Sequence, residues 1–117
     1  MNMGNRSLIE FLQDIQNLGD FKKEFIINIE NEKKFLEVNY KFYPFPRDVF
    51  SIFFSDAQEF YKCQKRLKKW KMYELVISET HWITSNGELK SITGEKKFIK
   101  CQLIDIRRDF LKVKIIP

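Results

Sequence analysis

Four stretches of this chain alternate apolar and polar residues with a period of two, and nothing else in the sequence constrains the fold as much. In "FKKEFIINIE", Phe25, Ile27 and Ile29 share one face. In "KFLEVNYKFY", Leu36, Val38, Tyr40 and Phe42 share one face, with Glu37, Asn39 and Lys41 opposite. "KMYELVISE" repeats the pattern with Tyr73, Leu75 and Ile77, and "FLKVKIIP" with Leu111, Val113 and Ile115 against Lys112 and Lys114. Successive side chains of a strand point to opposite faces, so these runs read as strands with one face on a core. The polar "NEK" joins the first two into a hairpin. "YPFP" ends it, because Pro44 and Pro46 cannot donate to a ladder. Asn86-Gly87 in "HWITSNGELKSI" is the best short hairpin signal in the chain. "RRD" turns a terminal hairpin between "KKFIKCQLIDI" and "FLKVKIIP".

Two stretches carry the helical period instead. "SLIEFLQDIQNLG" places Leu8, Leu12 and Ile15 on one side; Ser7 and Glu10 have capping-box spacing, and Gly19 supplies a left-handed stop. "RDVFSIFFSDAQEFYKCQKRLKKW" reads as a long central helix. Its start is open. Asp48 can cap it, or Ser55 with Gln58 can, and the second choice leaves "VFSIFF" extended. A helix throughout gathers Val49, Phe53, Ala57, Phe60 and Leu67 into one stripe, with Phe50, Tyr61, Cys63 and Trp70 on its margins.

The expected fold is therefore α+β: an N-terminal helix, a β-hairpin, a long central helix, then C-terminal antiparallel strands forming one mainly antiparallel sheet packed on the helices. Residues 1–117 suit a single domain with one core. Twelve Phe, four Tyr and two Trp supply the apolar payload for it. The expected core is Phe25, Ile27, Leu36, Val38, Phe53, Phe60, Leu67, Leu75, Ile77, Leu103, Val113 and Ile115.

The sharpest functional feature is "YKCQKRLKKWK", Tyr61 to Lys71, with six basic residues and no acid. On a helix, Lys62, Lys65, Arg66 and Lys69 group opposite Phe53, Phe60 and Leu67, and such a row can track the phosphates of an acidic partner. Glu59 is the one acid close in sequence. The chain's formal charge of +5 points the same way. Plain solubility accounts for both equally well: the composition is rich in Lys, Ile, Asn and Phe, which an AT-rich genome over-supplies, and lysines on the wet face of a helix need no partner. The row is expected to be exposed, with Tyr61, Cys63, Leu67 and Trp70 leaning toward the core. Trp70, Tyr73 and Trp82 lie near it, but Tyr73 shares the face of Leu75 and Ile77, and Trp70 is expected to pack on the sheet.

Motifs for catalysis are missing. His81 is the sole histidine, with Glu79 on its strand face, and the four glycines form no phosphate loop. Cys63 and Cys101 belong to no CxxC or CxxH pair, so no metal and no cofactor is expected, and both should be buried free thiols. The N-terminus lacks an uninterrupted apolar segment, and no run reaches the roughly 18 apolar residues of a membrane span, so a cytoplasmic chain without membrane contact is expected. Three functions remain. The first is a non-catalytic protein-binding module, such as a small immunity or antitoxin-like protein. The second is a nucleic-acid-binding accessory protein using the basic helix, and the third a small metal-independent ribonuclease.

Overall fold

The computed structural model describes residues 4–116, with side chains from Leu8 onward. The N-terminal leader reading rests partly on Met1–Met3, which lie outside them. The order of elements is α1 (Gly4–Ile15), β1 (Phe21–Ile29), β2 (Glu32–Phe42), β3 (Val49–Phe54), α2 (Ala57–Gln64), β4 (Met72–Ser85), β5 (Glu88–Ile106) and β6 (Phe110–Ile115). All strand pairs are antiparallel, and the six strands close into a barrel in the order β1-β2-β3-β6-β5-β4. The expected α+β fold with a long central helix is thus corrected to a mostly β structure with two short helices.

The central segment shows why. Asp56 is extended, and its carboxylate accepts from the N–H groups of Gln58 and Glu59, which starts α2 there and not at Asp48. "VFSIFF" is left to form β3, between Val38–Phe54 pairing on β2 and Phe50–Val113 pairing on β6. Val49, Phe50 and Ile52 are buried from both sides of the sheet, so the segment is apolar without alternating, and its pattern mimics a helical stripe. At the other end α2 stops at Gln64, and the basic stretch continues as loop to Lys71.

The second hairpin turns at Asn86-Gly87 as expected, whereas the first turns at Glu30-Asn31, so Glu32 and Lys33 of the expected turn open β2. Glu30 and Asn31 have φ of 51° and 68°, and Asn86 and Gly87 of 53° and 78°, the positive values that a two-residue type I′ turn needs. The start of α1 departs from expectation: it begins at Gly4, so Ser7 lies within the helix and does not cap it. Nor is Gly19 left-handed; α1 already ends at Ile15, whose carbonyl accepts from the Leu18 N–H.

The barrel interior is the core. Phe25, Ile27, Leu36, Val38, Leu75, Ile77, Leu103, Val113 and Ile115 point into it with Phe50, Ile52, Ile99, Cys101 and Leu111. The helices close its ends. At one, Leu12 and Ile15 of α1 meet Tyr40, whose hydroxyl donates to the Leu12 carbonyl. At the other, Phe60 of α2 stacks on Phe54 at 4.4 Å between centroids, and Leu67 follows it inward. Of the expected core residues only Phe53 fails: it is 40% exposed, on the outer face beside Phe110. As a strand residue it faces opposite to Ile52, whereas a helix would have turned it inward.

Two measurements test this packing. Phe60→Ala should cost about 3–5 kcal/mol in a denaturant melt, from lost transfer energy and a cavity at the barrel end; a near-neutral value would place the ring outside the core. Cys63 and Cys101 are both buried and free. Burial pushes the Cys101 thiol up to about 12 and raises Cys63 as well. A thiol reagent at neutral pH should therefore modify neither in the native protein and both after denaturation.

Candidate functional site

The barrel uses only part of its two longest strands. β1 begins at Phe21, opposite Glu79, and the β1–β4 pairing ends there. β4 and β5 run on together, from Thr80↔Thr93 to Ser85↔Glu88, and close at Asn86-Gly87. Among the described residues no third strand pairs with this arm. The radius of gyration, 15.1 Å, exceeds the roughly 13 Å of a compact chain of this length, as a projecting ribbon requires.

The arm exposes two large apolar side chains on each face. Thr80, Trp82, Thr84, Leu89, Ser91 and Thr93 share one; His81, Ile83, Lys90 and Ile92 lie on the other. Trp82 is 56% exposed, Ile83 42%, Leu89 68% and Ile92 46%. The backbone is open too. In a two-residue hairpin the pair flanking the turn, Ser85 and Glu88, exchanges hydrogen bonds, and alternate pairs do so from there. Trp82, Thr84, Leu89, Ser91 and Thr93 therefore turn their N–H and C=O groups outward. Thr80 shows the rule at work: its outward N–H donates to the Asp20 carbonyl, where β1 still lies alongside.

The expected basic row is placed differently. Lys62 sits in α2, Lys65 caps its C-terminus, and Arg66 and Lys69 lie in the loop beyond. All four are exposed. Lys62 lies 3.7 Å from Glu59, Arg66 3.1 Å from Glu30 in the β1–β2 turn, and Lys69 3.3 Å from Asp105 on β5. Glu59 is shared with Lys34, whose hydrogen bond holds that carboxyl below its ordinary range. The Asp105 carboxyl is also held low: burial opposes this, and bonds from Lys69 and the Ile106 N–H outweigh it. Two of the four cations, Arg66 and Lys69, thus meet acids that the sequence does not place nearby.

Two aromatic expectations fail beside it. Tyr61 and Trp70 do not lean inward; they are 72% and 64% exposed. Trp70 is left-handed, with φ of 73°. Its N–H donates to the Leu103 carbonyl at 2.6 Å, and its carbonyl accepts from Gln102 Nε2. Those bonds to β5 hold a conformation that costs a bulky residue on the order of 1–3 kcal/mol and leave the indole outside, between Lys69 and Lys71.

His81 lies at the base of the arm, 3.6 Å from Glu79, and both are exposed. Among the described residues no group of three His, Cys, Asp or Glu is arranged to hold a metal, and no helix is long and apolar enough to cross a membrane. No protein-family model matches the chain, and neither curated proteins nor solved structures give a significant match.

Exposed ion pairs contribute about 0.2–1 kcal/mol each. Changing Lys62, Lys65, Arg66 and Lys69 together to Gln should then lower stability by no more than about 2 kcal/mol at low salt, and by less at high salt. A larger, salt-independent loss in thermal melts would show that the row supports the barrel end by packing.

Proposed function

We propose that this chain is a non-catalytic protein-binding module and that the β4–β5 arm is its contact, adding an extended segment of a partner protein to its free edge. One observation carries the reading: a two-stranded ribbon that exposes Trp82, Ile83, Leu89 and Ile92 and turns unpaired backbone groups outward. An isolated two-stranded hairpin is marginally stable in water, and a bare apolar edge invites pairing. An added strand satisfies both, with main-chain bonds for affinity and alternate side chains for selectivity. The arm's charge favours a protein over a nucleic acid. From Glu79 to Glu95 it carries three glutamates against the single Lys90, which gives phosphates no attraction.

A photo-crosslinking residue at Leu89 should capture the partner, and one at Lys114, on the barrel wall, should not. Ser91→Pro removes one outward N–H and none of the hairpin's own bonds. It should abolish the Leu89 crosslink while leaving the melting temperature nearly unchanged. Equal capture from both positions, or capture that survives Ser91→Pro, would reject strand addition to the β5 edge. A crosslink to a second copy would make the partner the protein itself.

The nucleic-acid reading keeps one specific support, the exposed Trp70 held between Lys69 and Lys71, where a base can stack. It requires oligonucleotide affinity that falls steeply with salt. The quadruple Gln variant should then flatten the slope of log affinity against log salt by nearly one unit for each phosphate it no longer neutralises. Salt-insensitive or absent binding leaves the loop a solvated surface.

A further inference from the structure

Lys23 stands at an inward-facing position of β1, in alternation with Phe25 and Ile27, and is only 4% exposed. A lysine on the core face of a closed barrel needs a reason. Pairing between β1 and β2 stops at Glu24↔Glu37, although β2 continues to Phe42 along β3. A slot opens between Phe21–Lys23 and Val38–Tyr40, and Lys23 lies in it. Its ammonium donates to the Gln16 carbonyl just beyond α1 and sits 5.1 Å from the centre of the Tyr40 ring. The helix end and the ring offer partial negative charge. Among the described residues no carboxylate pairs with it, and burial pushes its pKa below the ordinary value of 10.5.

A cleft of about 400 Å³ opens at this slot. Lys23 is the sole charged residue lining it, beside the polar residues Gln16, Asn17, Asn39 and Tyr40. Gln16 Oε1 is buried and has no hydrogen-bond partner. An uncompensated cation and an unmet acceptor thus lie together at the wall of the cleft, and the acceptor, closed to solvent in this conformation, is reached when the Gln16 side chain turns. A buried charge is costly unless paired, and so is a buried acceptor left without a donor. One ligand chemistry meets both demands, an anionic group that also carries a hydrogen-bond donor.

We propose that this cleft binds a small oxyanion retaining a donor of its own, a phosphate or a hydroxycarboxylate, with Lys23 Nζ bonding the oxyanion and Gln16 Oε1 accepting from its hydroxyl. A second cleft of about 350 Å³ shares Gly19, Lys23 and Asn39 and reaches Trp82 at the root of the arm. A larger body attached to the anion has room there. The site is independent of the arm's free edge.

The test is a titration of the isotopically labelled full chain with phosphate, lactate and acetate at constant ionic strength and neutral pH, followed by ¹H–¹⁵N spectra. Phosphate or lactate should move the side-chain amide signals of Gln16 and Asn39 saturably, and whichever saturates first identifies the source. Acetate has no donor and should bind several-fold more weakly. Lys23→Met should weaken binding at least tenfold. If that variant does not fold, Gln16→Leu serves: it keeps the cation and should erase the advantage over acetate. No saturable change in the parent with either phosphate or lactate overturns the proposal whatever the variants do. So does undiminished binding by Lys23→Met, acetate binding as tightly as lactate, or an advantage over acetate that survives Gln16→Leu.

Discussion

The pairing of β1 with β4 is the contact on which the rest of the structure depends. It places Phe25 opposite Leu75 and joins the first hairpin to the last three strands, turning an open sheet into a barrel. Such a contact is non-local, so its loop-closure cost is met before its reward arrives. The reward is large: closure buries the inner faces of six strands at once and removes the sheet edges that would otherwise pair with other chains. α1 and α2 are then too short to form a layer of their own. They act as plugs, each delivering a few apolar side chains to an open end: Leu12 and Ile15 at one, Phe60 and Cys63 at the other.

The strands of this barrel are legible in the sequence because each inward residue alternates with a polar neighbour. Every residue expected in the core from those runs lies there, and the second turn falls where Asn86 and Gly87 allow positive φ, whereas the first also takes Glu30 there. Val49–Phe54 is not legible. Its outer face carries Val49 and Phe53 and is covered at Val49 and Ser51, so the alternation that marks a strand is absent, and local pattern cannot distinguish a helix from a strand apolar on both faces. The decision belongs to partners distant in sequence, Val38–Phe42 and Phe110–Lys114. The misplacement of Phe53 and Trp70 has that same origin, since the inward orientation of each requires a helix that does not extend so far; Tyr61 is within α2 but on its outer side.

The charges follow the same division between local and long-range information. Read locally, the basic stretch has Glu59 alone for company, and it looks like a surface waiting for an anion. The barrel brings Glu30 from the first hairpin to Arg66 and Asp105 from β5 to Lys69, so the row becomes separate surface pairs and not one continuous cationic track. Lys23 shows the reverse. In the sequence it is one lysine among many, next to Lys22, which pairs with Glu24. The fold turns it inward and supplies no acid, and it becomes the least compensated cation of the barrel interior. The sequence does carry a signal for it: Lys23 shares a face with Phe25 and Ile27. A lysine on a core face is informative in a way that a run of surface lysines is not.

Both candidate sites lie where β1 gives out: it parts from β2 beyond Glu24 and ends at Phe21. Its neighbours on either side are longer, and each must find a partner past that point. β2 finds β3, which pairs with it along Val38–Phe42, and the space vacated between β1 and β2 becomes the slot that holds Lys23. β4 finds only β5, and the pair leaves the barrel as an arm with no third strand beside it. A β1 longer by a few residues would cover the root of the arm, as the Thr80–Asp20 bond already does for one residue, and a β1 that stayed paired with β2 to Phe21 would seal the slot. The chain instead turns at Gly19 and Asp20 toward α1, whose last turn lies over the slot and provides Gln16 to it. The position of that turn therefore sets how much edge the arm exposes and what Lys23 has for company.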